Sequence, residues 1–329
     1  MPRRYRVALT NPRQHPPDSW VLDILRGCDA RLEAHDCASR EDVIALCADA
    51  DAVLVASAPI DAQALLSFQR CRAVIRMGTG YDNIDVEAAG NAGIPVANVP
   101  EFCTDEVADH TMAMLLACVR RLVNGDREVR AGVWNPSHLM PVGRLGGQVL
   151  GLVGFGKIGQ AVARRAVAFG LRVIYFDPIL ENAPAFSEAT ACQSLDQLLS
   201  LADVVSLHVP LTERTRGRLA MPQFRRMKRT SILINCARGE VVAEPDLALA
   251  LKEGVIAGAA LDVFESEPPS PGSPLLVLPN VVVSPHCAAY STEALDSLRR
   301  QAYEEVARAL RGEPLLNLVN RDLLATKGG

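Results

Sequence analysis

Short apolar runs rich in β-branched residues alternate with longer segments whose apolar residues recur every three or four positions, almost from one end of the chain to the other. The runs predict strands at about 6–9, 52–56, 73–76 and 95–98, and again at 149–153, 172–176, 203–208, 231–235, 257–261 and 280–284. Strands that are apolar along their whole length, separated by helical stretches, are what a parallel sheet covered on both faces requires. The chain therefore reads as α/β, with its strands in two groups. Between the groups, Ala108, Met112, Leu115, Val119 and Leu122 keep a 3.6-residue period and predict one helix over about 101–124. A second amphipathic helix, over about 292–311, sets Leu295, Leu298, Ala302, Val306 and Leu310 on one face and stops at Gly312, a residue suited to a helix C-terminus. The proline-rich stretch 266–274 reads as an ordered surface loop.

Composition narrows the class. At 49% hydrophobic and 22% charged residues, the 329-residue chain can bury a sizeable core, and its length suggests roughly two domains. Lys and Arg total 34 against 38 Asp and Glu, so the basic surplus that binding a phosphate backbone needs is missing, and no nucleic-acid partner is expected. Nine scattered cysteines contain no CxxC pair, which argues against a disulfide framework or a metal site and for a reducing cytoplasm. The apolar run after the basic N-terminus is broken at Thr10, Asn11, Pro12 and Arg13, and no run reaches the ~18 residues of a membrane span, so neither export nor a membrane partner is expected.

The glycine pattern Gly154, Gly156, Gly159 carries the first chemistry. It follows the predicted strand 149–153 and opens a helix with Lys157 and Ile158, the strand–turn–helix context that a dinucleotide site requires. Gly154 permits the tight turn, Gly156 lets a pyrophosphate approach the backbone, and Gly159 lets helix and strand pack closely. The phosphates would meet the free amides and partial positive charge of the helix N-terminus. The next strand ends in Asp177, 18 residues past Gly159, placed to accept hydrogen bonds from the adenosine ribose. Its charge repels a 2′-phosphate and no arginine follows to offset it, so NAD is favoured over NADP.

Three further polar segments fall at predicted strand ends, where open α/β sheets bind ligands: 235–239 with Cys236, Ala237 and Arg238, 262–268 with Asp262 and Glu267, and 284–289 with His286 and Ala288. With the loop from Arg76 through Met77 and Gly78 to Asp85, the Asn98-Val-Pro100 joint, the glycine motif and the run 207–212, the sequence resembles the D-isomer-specific 2-hydroxyacid dehydrogenase family, near its phosphoglycerate dehydrogenase and C-terminal-binding protein branches. The resemblance implies a Rossmann-type NAD-binding domain at 99–287, inserted into a flavodoxin-like substrate-binding domain built from 1–98 and 288–329. Catalysis is then expected in a cleft between lobes.

What the resemblance implies for mechanism maps residue by residue. His286 matches the general acid/base that protonates the carbonyl oxygen as hydride is transferred. Glu267 matches its carboxylate partner, and Arg238 the arginine whose planar fork of donors binds the substrate's carboxylate and carbonyl oxygens. Backbone amides at Met77 and Gly78 are expected to bind the rest of the carboxylate, with Arg76 adding a cation for a charged tail. Thr104, Val209, Cys236 and Asp262 match positions lining the nicotinamide half of the cofactor, with Ala237, Arg238, His286 and Ala288 beside them and Asp262 holding the carboxamide. His208 and His110 read as structural, and Cys287 as a packing residue.

Two departures bear on substrate and control. The corepressor branch carries a tryptophan where this chain has Ala289, so no preference resting on that tryptophan is transferred. The chain also stops soon after its last long helix, so the serine-binding regulatory domain of longer phosphoglycerate dehydrogenases is not expected. The resemblance implies a homodimeric, NAD-dependent enzyme acting on a 2-hydroxyacid/2-oxoacid pair. An NAD(H)-responsive corepressor-like binding protein and a phosphite dehydrogenase are the alternatives.

Overall fold

The computed structural model describes residues 4–180 and 188–325. The chain forms two compact units, Met1–Phe102 together with Ser291–Gly329, and Cys103–Tyr290. In the first unit, β1 (Tyr5–Leu9), β2 (Ala30–Ala34), β3 (Ala52–Val55), β4 (Val74–Arg76) and β5 (Val96–Ala97) pair in parallel in the order β2-β1-β3-β4-β5. Helices α1 (Ser19–Arg26), α2 (Arg40–Cys47), α3 (Ala62–Ser67) and α4 (Val86–Ala92) make the crossovers. Alternation along each strand divides the core between the two faces of the sheet: Val7, Leu9, Leu54 and Ile75 pack into one cluster, Ala8, Val53, Val55 and Val74 into the other.

The second unit opens with α5 (Thr104–Val119) and α6 (Leu122–Arg130). Its seven strands are β6 (Val149–Val153), β7 (Arg172–Phe176), β8 (Ala189–Ala191), β9 (Val204–Leu207), β10 (Ile232–Asn235), β11 (Gly258–Leu261) and β12 (Val281–Val283). They run parallel in the order β12-β11-β10-β9-β6-β7-β8. Helices α7 (Lys157–Ala168), α8 (Leu195–Leu201), α9 (Met221–Phe224) and α10 (Glu244–Lys252) connect them. From β6 the chain winds one way through β7 and β8, then crosses back to β9 and winds the other way. The gap between β6 and β9 is thus a topological switch point, the place in such sheets where ligands bind beyond the carboxyl ends of the strands. Both faces are buried here too, with Leu152, Ile234 and Ala260 on one side and Leu207, Leu233 and Leu261 on the other.

Helix α11 (Thr292–Arg311) and the short α12 (Arg321–Ala325) return to the first unit. Helix α11 covers the range its periodicity predicts: Ser291 caps the start by accepting from the Ala294 amide, and Gly312 ends it at φ +72°.

Two features differ from the sequence reading. Strands β2 and β8 are additional, and both are sheet edges whose short, partly polar sequences carry little apolar signal. The helix expected over 101–124 is two helices, because Arg121 takes a left-handed conformation at φ +49° and breaks the ladder. The buried stripe ends at Val119, whereas Leu122 is 67% exposed, so no core contact carries the first helix further.

Candidate active site

Every strand of the second unit that borders the switch point delivers a polar or glycine-rich loop at its carboxyl end. After β6, Gly154 sits at φ +93°, and a side chain there would collide with the His208 carbonyl beyond β9. A side chain at Gly159 would collide with the Gly154 carbonyl, so the first turn of α7 lies directly on the loop. At Gly156, the N-cap of α7, a Cβ would meet nothing within 4 Å. The loop is open where a phosphate would approach the amides of Lys157, Ile158 and Gly159, which an α-helix leaves without intrahelical acceptors.

Asp177, just past β7, ties this loop down. Its carboxylate accepts from the Phe155 amide at 2.9 Å and from the Ile179 amide at 3.0 Å. Each oxygen keeps acceptor capacity for a hydroxyl, and the sequence has no Lys or Arg from 178 to 213 to bind a further phosphate.

Beyond β10, the buried Asn235 shapes the arginine loop with its own amide: Oδ1 accepts from the Ala237 amide at 3.0 Å, and Nδ2 donates to the Arg238 carbonyl at 2.8 Å. Gly239 then passes so close to the loop after β11 that any Cβ would overlap the Phe264 and Glu265 backbone. Glu244, at the start of α10, and Glu265 bond reciprocally to each other's amides, closing the two loops together.

The loop after β11 carries Glu267, whose Oε1 accepts from the Phe264 amide at 3.1 Å while Oε2 lies 2.6 Å from His286 Nδ1. Burial acts to raise the Glu267 pKa, but the hydrogen bond and charge of His286, the Phe264 amide and the charge of Arg238 outweigh it and hold the carboxyl below its ordinary value. His286 sits at φ +50°, left-handed backbone that a non-glycine residue adopts at a cost, and its amide is fixed to the Asp262 carbonyl at 2.7 Å. With Nδ1 directed to Glu267, Nε2 is the ring nitrogen left for a reacting group.

Asp262, 1% exposed, organises the third loop. It accepts from Ser284 Oγ at 2.6 Å and from the amides of Cys287 and Ala288, each at 2.9 Å. Burial opposes its ionisation, yet the neighbouring His110 3.5 Å away, the Ser284 hydroxyl and the two amides prevail and keep its carboxyl well below the usual range. The pairing of His110 with Ser284, at 2.9 Å, escaped the sequence reading because the two lie 174 positions apart. Val209 follows β9, Cys236 follows β10, Ala288 follows β12, and Thr104 opens α5. His208 is bonded to Ser206 Oγ at 3.0 Å.

In the first unit, Arg76 ends β4 and its guanidinium occupies the space that a side chain at Gly78 would fill. The neighbouring amides are not free. Met77 N–H donates to the Val55 carbonyl at 2.7 Å, continuing the ladder, and Gly78 N–H closes a tight turn onto the Arg76 carbonyl at 3.0 Å. Both amides expected to bind a carboxylate thus have partners within the fold, and the cation this loop offers is the Arg76 side chain.

Two histidines shielded from solvent make stability depend on pH. Burial, with Arg76 and Arg299 adding to it at His15, lowers the pKa from 6.5 to about 4 for His15, and burial alone does the same for His208. Both are neutral in the folded state above pH 6.5, and neither costs stability there. Between 6.5 and 4 the unfolded chain takes protons that the folded state refuses, so stability falls by up to about 1.4 kcal/mol per pH unit for each. Thermal unfolding should therefore drop as pH goes from 7 to 5, and His15→Gln should flatten that drop; an unchanged slope would contradict this account.

The family described as D-isomer specific 2-hydroxyacid dehydrogenase, NAD binding domain, has a sequence model that matches residues 112–288, more than half of the chain. The chain belongs to the D-isomer specific 2-hydroxyacid dehydrogenase family. Within that family, the glyoxylate reductase of Korarchaeum cryptofilum is 44% identical over 88% of each chain. The D-3-phosphoglycerate dehydrogenase of Archaeoglobus fulgidus is 36% identical over 93% of this chain, which spans 58% of that longer protein. The crystal structure of D-lactate dehydrogenase from Aquifex aeolicus, complexed with NAD and lactic acid, superposes with a TM-score of 0.85 at 26% identity, covering 96% of this chain and 99% of that one. As a member of this family of dehydrogenases, the protein is an NAD(P)-dependent oxidoreductase acting on CH–OH groups, with a Rossmann-type nucleotide-binding domain. No helix among its described residues is long and apolar enough to cross a membrane.

Proposed function

We propose that the protein is an NADH-dependent 2-oxoacid reductase of the glyoxylate and hydroxypyruvate class, running reversibly toward the D-2-hydroxyacid. The observation that carries this reading is the His286–Glu267 pair at 2.6 Å, on a loop clamped through Gly239 to the loop of Arg238. A proton donor, its charge partner and a guanidinium are what reduction of a carbonyl next to a carboxylate needs.

The glycine loop, the α7 N-terminus and Asp177 fit a dinucleotide, and Asp262, Thr104, Val209, Cys236, Ala237 and Ala288 would hold its nicotinamide end. When bound, the cofactor supplies the hydride. Arg238 holds the substrate carboxylate and draws electron density toward the carbonyl oxygen. His286 Nε2 gives that oxygen its proton, and Glu267 compensates the charge the ring carries beforehand and keeps the ring from rotating. In the oxidative direction the same nitrogen takes the hydroxyl proton. Arg76 adds a cation for substrates with an anionic tail. NADH consumption over a panel of 2-oxoacids tests the reading, with NAD reduction by phosphite as the companion assay. Tight NADH binding without turnover of any oxoacid would overturn it.

Asp177 supports NAD over NADP. The parent should prefer NADH over NADPH by about 10²-fold or more in kcat/KM, since a 2′-phosphate would face the Asp177 carboxylate and the sequence supplies no Lys or Arg from 178 to 213 to offset it. Asp177→Ser should narrow that preference at least about tenfold, read from the two kcat/KM values; an unchanged ratio would remove Asp177 from cofactor choice.

The segment from α6 through the turn Pro136–Leu139 exposes Leu122, Val129, Trp134 (86%) and Met140. So much apolar surface on one segment supports a homodimer joined through it. The nine cysteines are all free, which supports residence in a reducing cytoplasm.

A further inference from the structure

We propose that His110, Asp262 and Cys287 form a binding site for a thiophilic divalent cation, of the Zn²⁺ or Cd²⁺ type, and that filling it inhibits the enzyme. Helix α5, the end of β11 and the loop after β12 each contribute one residue, and their ligand atoms lie within 4.8 Å of one another. His110 Nε2 and Asp262 Oδ1 are 3.5 Å apart. A tetrahedral zinc ion with bonds of about 2.0–2.3 Å holds its donors about 3.3–3.6 Å apart. The imidazole and carboxylate therefore already stand at a coordinating separation, and the thiol reaches it by moving about an ångström.

The chain, not the ion, keeps two of the donors together. The Cys287 amide is bonded to Asp262 Oδ1, so the thiol grows from a backbone that the carboxylate itself anchors. Between His110 and Asp262 stands the Ser284 hydroxyl, 2.9 Å from the ring nitrogen and 2.6 Å from the carboxylate. Its one hydrogen serves Asp262, so it accepts from His110 Nε2–H. A cation replaces this hydroxyl bridge, and the ring proton passes to Nδ1, leaving Nε2 a lone pair for the metal.

The charges balance as well. Asp262 is ionised, and coordination displaces the Cys287 proton to solvent, so two negative donors meet a doubly charged cation and no net charge is buried. A nitrogen and a sulfur donor select Zn²⁺ or Cd²⁺ over Mg²⁺ or Ca²⁺, which prefer oxygen. Inhibition follows because Asp262, once coordinated, is withdrawn from the nicotinamide carboxamide; this half rests on the cofactor assignment proposed above.

The test uses the full-length protein. Cd²⁺ added without cofactor should produce a saturable thiolate-to-cadmium charge-transfer absorption, which Zn²⁺ competes away and Mg²⁺ does not. Cd²⁺ should also weaken NADH binding, followed by fluorescence, and slow turnover until a chelator is added. Cys287→Ala keeps the amide that holds Asp262, so its turnover should match the parent. That variant should lose the absorption and need at least about tenfold more Cd²⁺ for half-inhibition. Should it fail to fold, His110→Gln gives the second reading, with the absorption retained and Cd²⁺ affinity down about tenfold. Parent-like absorption in Cys287→Ala, or parent-like affinity in His110→Gln, would overturn the site. Cd²⁺ bound through Cys287 with NADH affinity unchanged would overturn the inhibition. Because absorption and fluorescence need no turnover, a protein inactive on every oxoacid could still show the metal site, and the two failures remain separate.

Discussion

His286→Asn enzyme is expected to retain NADH binding within a few-fold of the parent while its turnover of 2-oxoacids falls by about 10³-fold, within the usual range for loss of a general acid. Asparagine is the informative replacement because residue 286 sits at φ +50°, a conformation asparagine tolerates and alanine does not. The substitution removes the transferable proton and keeps the loop, whose amide stays bonded to the Asp262 carbonyl. Single-turnover hydride transfer read by NADH absorbance, beside a fluorescence titration of NADH, separates the two effects. Equal losses in binding and turnover would make His286 a folding or cofactor residue instead.

Arg238→Lys is expected to lower kcat/KM for oxoacids by about 10²–10³-fold, although the positive charge is kept. A lysine offers one compact ammonium, whereas the substrate presents a carboxylate and an adjacent carbonyl that a planar fork meets with two parallel bonds. Loop geometry should survive although the guanidinium's bond to the Ala237 carbonyl is lost, since Asn235 holds both the Ala237 amide and the Arg238 carbonyl. Arg238→Gln, which removes the charge, should add a second signature. Arg238 is one of the groups holding the Glu267 carboxyl down, so without its charge the Glu267 pKa rises. The acid side of the pH–rate profile should then move to higher pH, because the His286–Glu267 pair is lost as pH falls through the Glu267 value. A profile that does not move would show that Arg238 acts on substrate alone.

Much of the site was legible in the sequence because each part is local. Gly154, Gly156 and Gly159 lie within one turn, their requirement for no side chain is steric, and the strand before them and the helix after them are strongly patterned. Arg238, Glu267 and His286 could be assigned because three chemically distinct loops resemble one family in the same order. The α11 boundaries were equally plain, since Ser291 and Gly312 mark its ends and the buried stripe lies between them. Strands β2 and β8 were not legible, because β2 is interrupted by Arg31 and Glu33 and β8 is three residues of Ala and Thr, so neither carries an apolar run.

The sequence by itself determined the α/β class, the nucleotide motif and the long returning helix, which rest on local patterns of spacing; the Glu267 and His286 roles came from the family resemblance. Only the tertiary structure decided what depends on distant partners. It tied the Met77 amide to Val55 across the sheet and broke the helix at Arg121 where the core contact ends. It also drew His110, Asp262 and Cys287 together from positions up to 177 apart in the chain. A hydrogen bond or ligand set across such separations is fixed by sheet order and helix packing, and a linear pattern carries no record of either.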